Sequence, residues 1–208
     1  MLIKPFAVTR EITTNAYFYI DERSKHGFLL DPGAEADKLL QIITENDWKI
    51  EKILLTHGHF DHIGAVQKLH QELSIPYYIH IAGERYLTDP AMNLSAFFGS
   101  NITIREAEYL DDNEIISLEA APDTNLQVIH CPGHTADSVM YYDKQKEIAF
   151  VGDTIFRHSI GRTDLPGGNE TALWRSIRQK IFTLPRQTLL YSGHSPQTSV
   201  GEEADFWS

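Results

Sequence analysis

The chain has 208 residues, of which 42% are hydrophobic and 23% are charged, and its formal net charge is -11. This composition predicts one globular domain over residues 1–208, and the acidic balance argues against nucleic acid as a partner. The chain has one cysteine, no long apolar run and no pattern of a cleavable leader. We therefore expect a cytoplasmic protein without disulfides and without a membrane partner.

Short strands and amphipathic helices alternate along the chain. In the first half, hydrophobic patterning predicts strands at 16–20, 27–30, 53–56 and 76–81, with helices over 36–43 and 63–73. In the second half it predicts strands at 123–131, 138–142, 147–151 and 188–191. Asn169 is expected to cap a further helix that Pro185 closes. This alternation predicts layered α/β (α+β) structure in which helices cover sheets.

The stretch 88–108 fits neither pattern and carries Phe97 and Phe98. Two interpretations are open. The two rings could roof a pocket, or they could pin an irregular loop to the core.

The most informative segment is His57-Gly58-His59-Phe60-Asp61-His62, which follows the predicted strand at 53–56 directly. It places four potential metal ligands within six residues. Imidazole and carboxylate groups are the ligands that zinc and similar divalent metals take. The segment therefore predicts a metal site in which two histidines serve one centre and the Asp-His pair serves a second.

Three further segments each place one potential ligand just after a predicted strand. These residues are His134, Asp153 and His194, and a glycine precedes each of them. A glycine lets the backbone turn sharply as it leaves a strand. Because layered α/β folds build their sites at strand ends, we expect these side chains to join the first cluster.

Together these residues resemble the motif set of the metallo-β-lactamase superfamily, with H-x-H-x-D-H at 57–62, the three later ligands, and Asp31 earlier. The resemblance implies a four-layer αββα sandwich with the site along one edge of the sheets. It also implies two divalent metal ions as cofactors, with Zn²⁺ as the first candidate and Fe or Mn as alternatives.

Within the superfamily the chain is similar to short bacterial hydrolases of the glyoxalase II (hydroxyacylglutathione hydrolase) type, through residues 56–65 and 161–168. This likeness implies one metal bound by His57, His59 and His134. It implies a second metal bound by Asp61, His62 and His194, with Asp153 bridging the two. Asp31 would steady a ligand histidine through a hydrogen bond.

The implied activity is hydrolysis of a small thioester, in which a hydroxide held between the metals attacks the carbonyl and Asp61 and Asp153 are the catalytic carboxylates. Arg162 falls where glyoxalase II enzymes hold a basic residue against glutathione, but Asp164 falls near their aromatic position. We also expect no C-terminal helical glutathione-binding domain after His194. The acyl group and the thiol carrier are left open, as is the oligomeric state.

Particular residues favour or disfavour other functions that occur within this fold. Persulfide dioxygenases share the Gly-Arg-Thr-Asp phrase at 161–164 and hold one iron with residues matching His57, His134 and Asp153. A non-catalytic metal-binding member is a third hypothesis, against which the complete ligand set weighs. An aspartate at 153, where β-lactamases with two metals usually hold cysteine, argues against a β-lactam substrate.

Single histidine, arginine and cysteine residues outside the ligand set are weaker evidence for a functional site. Ordinary surface or core positions are expected for His26, His70, His80 and His158. His130 could be a satisfied strand residue or a neighbour of a ligand, and Arg162 could bind an anion or simply pair with Asp164. Cys131 is expected to pack as a small buried apolar residue.

Overall fold

The computed structural model describes residues 1–208 as two six-stranded sheets with helices packed on them. The first sheet has the order β1-β2-β3-β4-β5-β6, where the strands are Leu2–Thr9, Thr13–Ile20, His26–Leu30, Lys49–Leu54, Tyr77–His80 and Glu108–Leu110. β1, β2 and β3 pair antiparallel, whereas β3 to β6 pair parallel.

The second sheet has the order β14-β13-β10-β9-β8-β7. In chain order its strands are Ile115–Ser117 (β7), Asn125–His130 (β8), Val139–Asp143 (β9), Ile148–Gly152 (β10), Leu189–Ser192 (β13) and Thr198–Ser199 (β14). A small hairpin between β10 and β13 is formed by Ile155–Phe156 (β11) and Ser159–Ile160 (β12).

Six α-helices connect the strands: Ala36–Glu45 (α1), Phe60–Ile63 (α2), Val66–Leu73 (α3), Glu84–Thr88 (α4), Glu170–Ser176 (α5) and Val200–Phe206 (α6). α5 continues as a π-helical turn over Ile177–Ile181, and short 3₁₀ turns lie at Ile81–Gly83 and Ser95–Phe98. The predicted cap of α5 is confirmed, because the Asn169 side chain accepts a hydrogen bond from the Ala172 N–H. None of the helices has the length and apolar character needed to cross a membrane.

Three hydrophobic cores separate four layers. The first lies between the first sheet and helices α1 and α3, and contains Phe18, Leu39, Ile53 and Leu69. The second joins the two sheets through side chains such as Phe28, Leu54, Val128 and Phe150. The third lies between the second sheet and helices α5 and α6, and contains Cys131, Val151, Leu173 and Val200. The predicted αββα sandwich is therefore confirmed, and so is the buried packing role of Cys131.

The helix predicted over 63–73 is wrong in one respect, because the structure splits it into α2 and α3. Gly64 and Ala65 stand at the break, where the Ala65 N–H donates to the Pro32 carbonyl over 2.9 Å. A side chain at Gly64 would collide with the Gly33 carbonyl. The tight approach of the loop at 32–33 therefore separates the two helices and leaves α2 beside the metal motif.

Polar contacts also join the two sheets. The Tyr19 hydroxyl in β2 donates to Asp143 Oδ2 in β9 over 2.6 Å, and both residues are buried. Tyr19→Phe leaves that carboxylate oxygen without its donor, so we expect the free energy of unfolding to fall by about 1–3 kcal/mol. Urea unfolding would measure the loss, with Tyr109→Phe, whose side chain is exposed, as the control. A change no larger than that of the control would contradict the expectation.

Candidate metal centre

The seven predicted ligands come from four separate segments and meet at one edge of the sandwich. The first four lie between β4 and α3, His134 lies between β8 and β9, Asp153 follows β10, and His194 follows β13. All of them are buried except His194, whose side chain is 24% exposed. The loops after these strands thus build one pocket floor from residues up to 137 positions apart.

Three imidazoles form the first group. His59 Nδ1 lies 3.1 Å from His57 Nε2 and 3.0 Å from His134 Nε2. The outer nitrogen of His134, Nδ1, donates to the Arg162 carbonyl over 2.8 Å. Because a carbonyl can only accept, this bond fixes the tautomer and leaves a lone pair on His134 Nε2.

The tautomer of His57 follows from a similar chain of contacts. Its Nδ1 lies 3.2 Å from the Thr56 hydroxyl, whose own hydrogen goes to Asp31 Oδ2 over 2.7 Å. The hydroxyl is therefore free only to accept, so His57 Nδ1 carries the hydrogen and Nε2 carries a lone pair. Two lone pairs consequently converge beside His59 Nδ1.

The second group combines carboxylates and imidazoles. His194 Nε2 lies 3.2 Å from Asp61 Oδ2 and 3.1 Å from Asp153 Oδ2. His62 Nε2 lies 3.7 Å from Asp61 Oδ2 and 3.5 Å from Asp153 Oδ1. The other nitrogen of His194, Nδ1, donates to the Thr13 carbonyl over 2.8 Å, which directs Nε2 into the group.

Asp153 lies between the two groups. Its Oδ2 is 3.1 Å from His194 Nε2 in the second group and 3.7 Å from His134 Nε2 in the first. Potential ligand atoms of His57, His62 and Asp153 also lie within 4.8 Å of one another, so the two groups are contiguous.

The electrostatics differ between the two groups. Burial lowers the pKa of His57 and brings that of His59 down to about 3, so both imidazoles are neutral at physiological pH. Burial acts in the same direction on His194, but hydrogen bonds to Asp153 and Asp61 raise its pKa to about 11. His57 and His59 therefore offer neutral nitrogen donors in the first group, and the second group attracts positive charge.

His62 belongs with the second group in this respect. Burial would lower its pKa, but the charges of Asp31, Asp61 and Asp153 raise it to about 9. Burial of the two carboxyl groups at 61 and 153 works against their ionisation, yet the neighbouring histidines hold the pKa of both below the ordinary value. A positive charge placed between these side chains is therefore favourable.

This donor set fits metal ions. Tetrahedral ligands at 2.0–2.1 Å from zinc stand about 3.3 Å apart, close to the 3.0 and 3.1 Å between the nitrogens of the first group. His62 Nε2 and Asp153 Oδ1 are buried and have no hydrogen-bond partner. Converging lone pairs and buried unpartnered atoms are costly without a cation, and a cation at each group would satisfy most of them.

Asp31 lies behind the ligands and contacts both groups. Its Oδ1 accepts from the Thr56 N–H over 2.8 Å and its Oδ2 from the Thr56 hydroxyl, while Oδ2 lies 3.1 Å from His62 Nδ1. It therefore orients His62 directly and His57 through Thr56, the position expected of an outer partner of a ligand.

The structure also places residues at the site that the sequence did not single out. In β2, the Thr14 hydroxyl donates to Asp61 Oδ2 over 3.0 Å. The Asn15 side chain donates to the Ser192 and Ser195 carbonyls on either side of His194. These residues are distant in sequence from the ligands they hold, and a polar residue in a half-buried strand gives no sequence signal of such a role.

A cavity of about 640 Å³ opens above the two groups. Phe97 and Phe98 line it, with 72% and 43% of their surface exposed, and Phe98 also packs on the buried Phe60 ring, so each sequence interpretation holds in part. Arg162 and Asp164 also line it and pair with each other through two bonds of 2.7 Å. The structure thus shows the Arg162–Asp164 pair, while anion binding by Arg162 stays a prediction.

His130 does not touch the candidate ligands. Its ring stacks on that of His80 with centroids 4.0 Å apart, and its Nε2 donates to the Ala136 carbonyl over 2.8 Å. It is thus a satisfied strand residue, the simpler of the two interpretations.

A four-layer αββα sandwich with a His/Asp cluster at one edge defines a class of metal-binding fold. Residues 9–194 match the family model of the metallo-beta-lactamase superfamily. The chain therefore belongs to the metallo-β-lactamase superfamily, whose fold binds metal ions.

Two relatives cover most of the chain. A Bacillus subtilis (strain 168) protein named "Probable metallo-hydrolase YqgX" is 40% identical over 195 residues, which are 93% of this chain and 90% of the relative. "Hydroxyacylglutathione hydrolase GloC" of Haemophilus influenzae is 34% identical over 182 residues, which are 86% of this chain and 84% of the relative. The family and these names place the chain, in general terms, among metal-dependent hydrolases.

Two solved structures share the fold closely. BLEG-1, described as a B3 metallo-beta-lactamase, is 40% identical with a TM-score of 0.91, covering 98% of this chain and 97% of its own. TTHA1623, solved in a di-iron-bound form, is 33% identical with a TM-score of 0.85, covering 97% and 96%. Since a similar structure is named for β-lactams, the argument from Asp153 against a β-lactam substrate stays a prediction.

Proposed function

We propose that this protein acts as a single domain that hydrolyses small thioesters with two divalent metal ions. His57, His59 and His134 would hold one ion, and Asp61, His62 and His194 the other, with Asp153 shared. The observation that carries the proposal is the position of Asp153 between a group of imidazole lone pairs and a group rich in carboxylate, on the floor of an open cavity.

Zinc is the first candidate because nitrogen-rich, near-tetrahedral donors suit it, while iron and manganese accept the same ligands. The di-iron form of TTHA1623 supports two metal positions and makes iron worth measuring. When bound, such ions lower the pKa of a coordinated water to about 7 and polarise a carbonyl oxygen.

The cavity favours a substrate with a good leaving group. Beyond the candidate ligands, its titratable side chains are Arg162 and Asp164, which are bound to each other. No free acid is therefore placed to protonate a departing amine. A thiolate has a low pKa and leaves with little protonation, so a thioester suits this site better than an amide. The name of the GloC relative supports the same chemistry.

The test is a panel of substrates given to purified protein whose metal content is known. It comprises an acetyl thioester of a small thiol, S-acetylglutathione, a β-lactam, and glutathione persulfide with oxygen uptake recorded. Thioester hydrolysis with kcat/KM of about 10⁴ M⁻¹s⁻¹ or more, and no oxygen uptake, is expected. Oxygen uptake with one iron per chain would replace the proposal with a persulfide dioxygenase. Hydrolysis of the β-lactam alone would replace it with a lactamase.

Thr14 offers a more local prediction. Thr14→Val preserves the shape of the side chain but removes the hydrogen bond to Asp61 Oδ2. We expect the affinity of the second metal to fall about 10–100-fold while the first metal stays bound. Competition with a chelator would measure both affinities, and Thr9→Val, at an exposed position in β1, is the control. Equal affinities in Thr14→Val and the native protein would contradict the expectation.

A further inference from the structure

The cavity above the candidate metals has a chemical character that the proposed function leaves unspecified. Its walls are formed largely by apolar side chains, which include Ile12, Leu94, Phe97, Phe98, Phe156 and Ile160. Phe97 is 72% exposed, more than any other large hydrophobic side chain that the structure exposes. Exposed apolar surface inside a concave site marks a place where an apolar ligand group is buried.

The aromatic roof is held in place rather than loosely attached. Asn93, which is fully buried, donates from its side chain to the Tyr86 and Ile102 carbonyls over 2.8 and 2.9 Å. The Phe98 ring packs against Phe60 with centroids 4.6 Å apart. Because the loop is already ordered, binding of an apolar group does not carry the entropy cost of ordering it.

The charged side chains of the cavity wall, Arg162 and Asp164, also favour an uncharged substrate. Asp164 binds Arg162 through both of its oxygens, and the guanidinium holds the pKa of that carboxyl down at about 2. Apart from the candidate metal ligands, Arg162 is the one cationic side chain that lines the cavity, and its Nε and Nη2 already donate to Asp164. Glutathione carries two carboxylates, and either one would have to compete with Asp164 for the Nε and Nη2 edge of Arg162, the edge that binds a carboxylate through two bonds.

We propose, resting on the thioesterase function above, that this cavity selects thioesters of uncharged, apolar thiols over those of glutathione, and that Asp164 sets the selection by occupying Arg162. Apolar groups on the thiol are buried under Phe97, while an anionic thiol carrier meets the carboxylate of Asp164 and must compete with it for Arg162.

The experiment compares two thioesters that share one acyl group, S-acetylglutathione and the acetyl thioester of benzyl mercaptan. In the native protein we expect kcat/KM for the benzyl thioester to exceed that for S-acetylglutathione at least tenfold. Asp164→Asn frees Arg162, so the ratio should shift at least tenfold toward glutathione. Phe97→Ala should lower kcat/KM for the benzyl thioester at least fivefold.

A matched control is available at another exposed ion pair. Asp205 pairs with Arg186 over 2.7 Å and lies outside the cavity, so Asp205→Asn should leave the ratio as it is. Binding of S-methylglutathione, which cannot be hydrolysed, gives a readout independent of turnover, and calorimetry should show at least fivefold tighter binding in Asp164→Asn.

The failures of the two proposals are distinguishable. Hydrolysis of both thioesters with glutathione equal or preferred in the native protein, or a ratio in Asp164→Asn that matches Asp205→Asn, would overturn the selectivity and leave the thioesterase function in place. Hydrolysis of neither thioester by metal-loaded protein would overturn both.

Discussion

Asp153→Ala is expected to bind fewer than two metal ions per chain and to lower kcat/KM for thioesters by about 10³-fold or more. The carboxylate contacts ligand atoms of both groups, at 3.1 Å from His194 Nε2 and 3.7 Å from His134 Nε2. Removing it also leaves the two groups without the negative charge that they share. Under the proposed function, the binding of both ions would therefore depend on this one side chain.

Elemental analysis after dialysis against excess zinc, together with thioester kinetics, would measure both effects. Asp205→Ala, which removes an exposed carboxylate far from the cavity, is the control and should keep the native metal content and rate. Circular dichroism would verify that the variant is folded. Full zinc loading with an unchanged rate in Asp153→Ala would contradict the assignment of the bridge.

The second large effect is expected at Asp31. Asp31→Ala leaves the Thr56 N–H without its acceptor and removes the contact at 3.1 Å with His62 Nδ1. The residue also has a φ of 48°, a left-handed conformation that aspartate and asparagine tolerate better than alanine. We therefore expect the free energy of unfolding to fall by about 2–4 kcal/mol and both metals to bind more weakly.

Asp31→Asn is the matched comparison, because it keeps an acceptor oxygen for the Thr56 N–H and tolerates the same φ. It should lose less stability than Asp31→Ala and should mainly weaken the metal beside His62. Urea unfolding of the metal-free proteins separates the folding effect from the metal effect. Equal stability of the alanine variant and the native protein would contradict the role given to Asp31.

The sequence identified the candidate ligands because their pattern is local and chemically specific. Four of the seven lie within residues 57–62, and each of the other three follows a strand and a glycine. The structure adds a reason for two of those glycines. Gly152 has a φ of 49°, and a side chain at Gly193 would lie 2.7 Å from His62 Cε1 and collide with Asp153.

Features that depend on tertiary contacts were harder to predict. β1 was not predicted, because it contains Pro5 and several exposed polar residues, yet it pairs along its whole length with β2. A proline is tolerated there because β1 is an edge strand. The outer partners Thr14 and Asn15 were also missed, since their role exists only once β2 lies beside the ligand loops.

In the stretch 88–108, residue type alone predicted only part of the structure. Its aromatic residues suggested either a roof or an anchor, and the structure gives part of each. Phe98 packs on Phe60 and lines the cavity, whereas Phe97 lines the cavity with 72% of its surface exposed. Neighbouring Asn93 is buried and donates to the Tyr86 and Ile102 carbonyls, and the sequence carries no pattern for a single buried asparagine in a loop.

The central claim is that two cations share one carboxylate at the base of this cavity. Anomalous diffraction from a crystal grown with excess zinc measures it directly. Two peaks are predicted, one among His57, His59 and His134 and one among Asp61, His62 and His194, with Asp153 in contact with both. A single peak, or imidazoles turned away from any common point, would contradict the account.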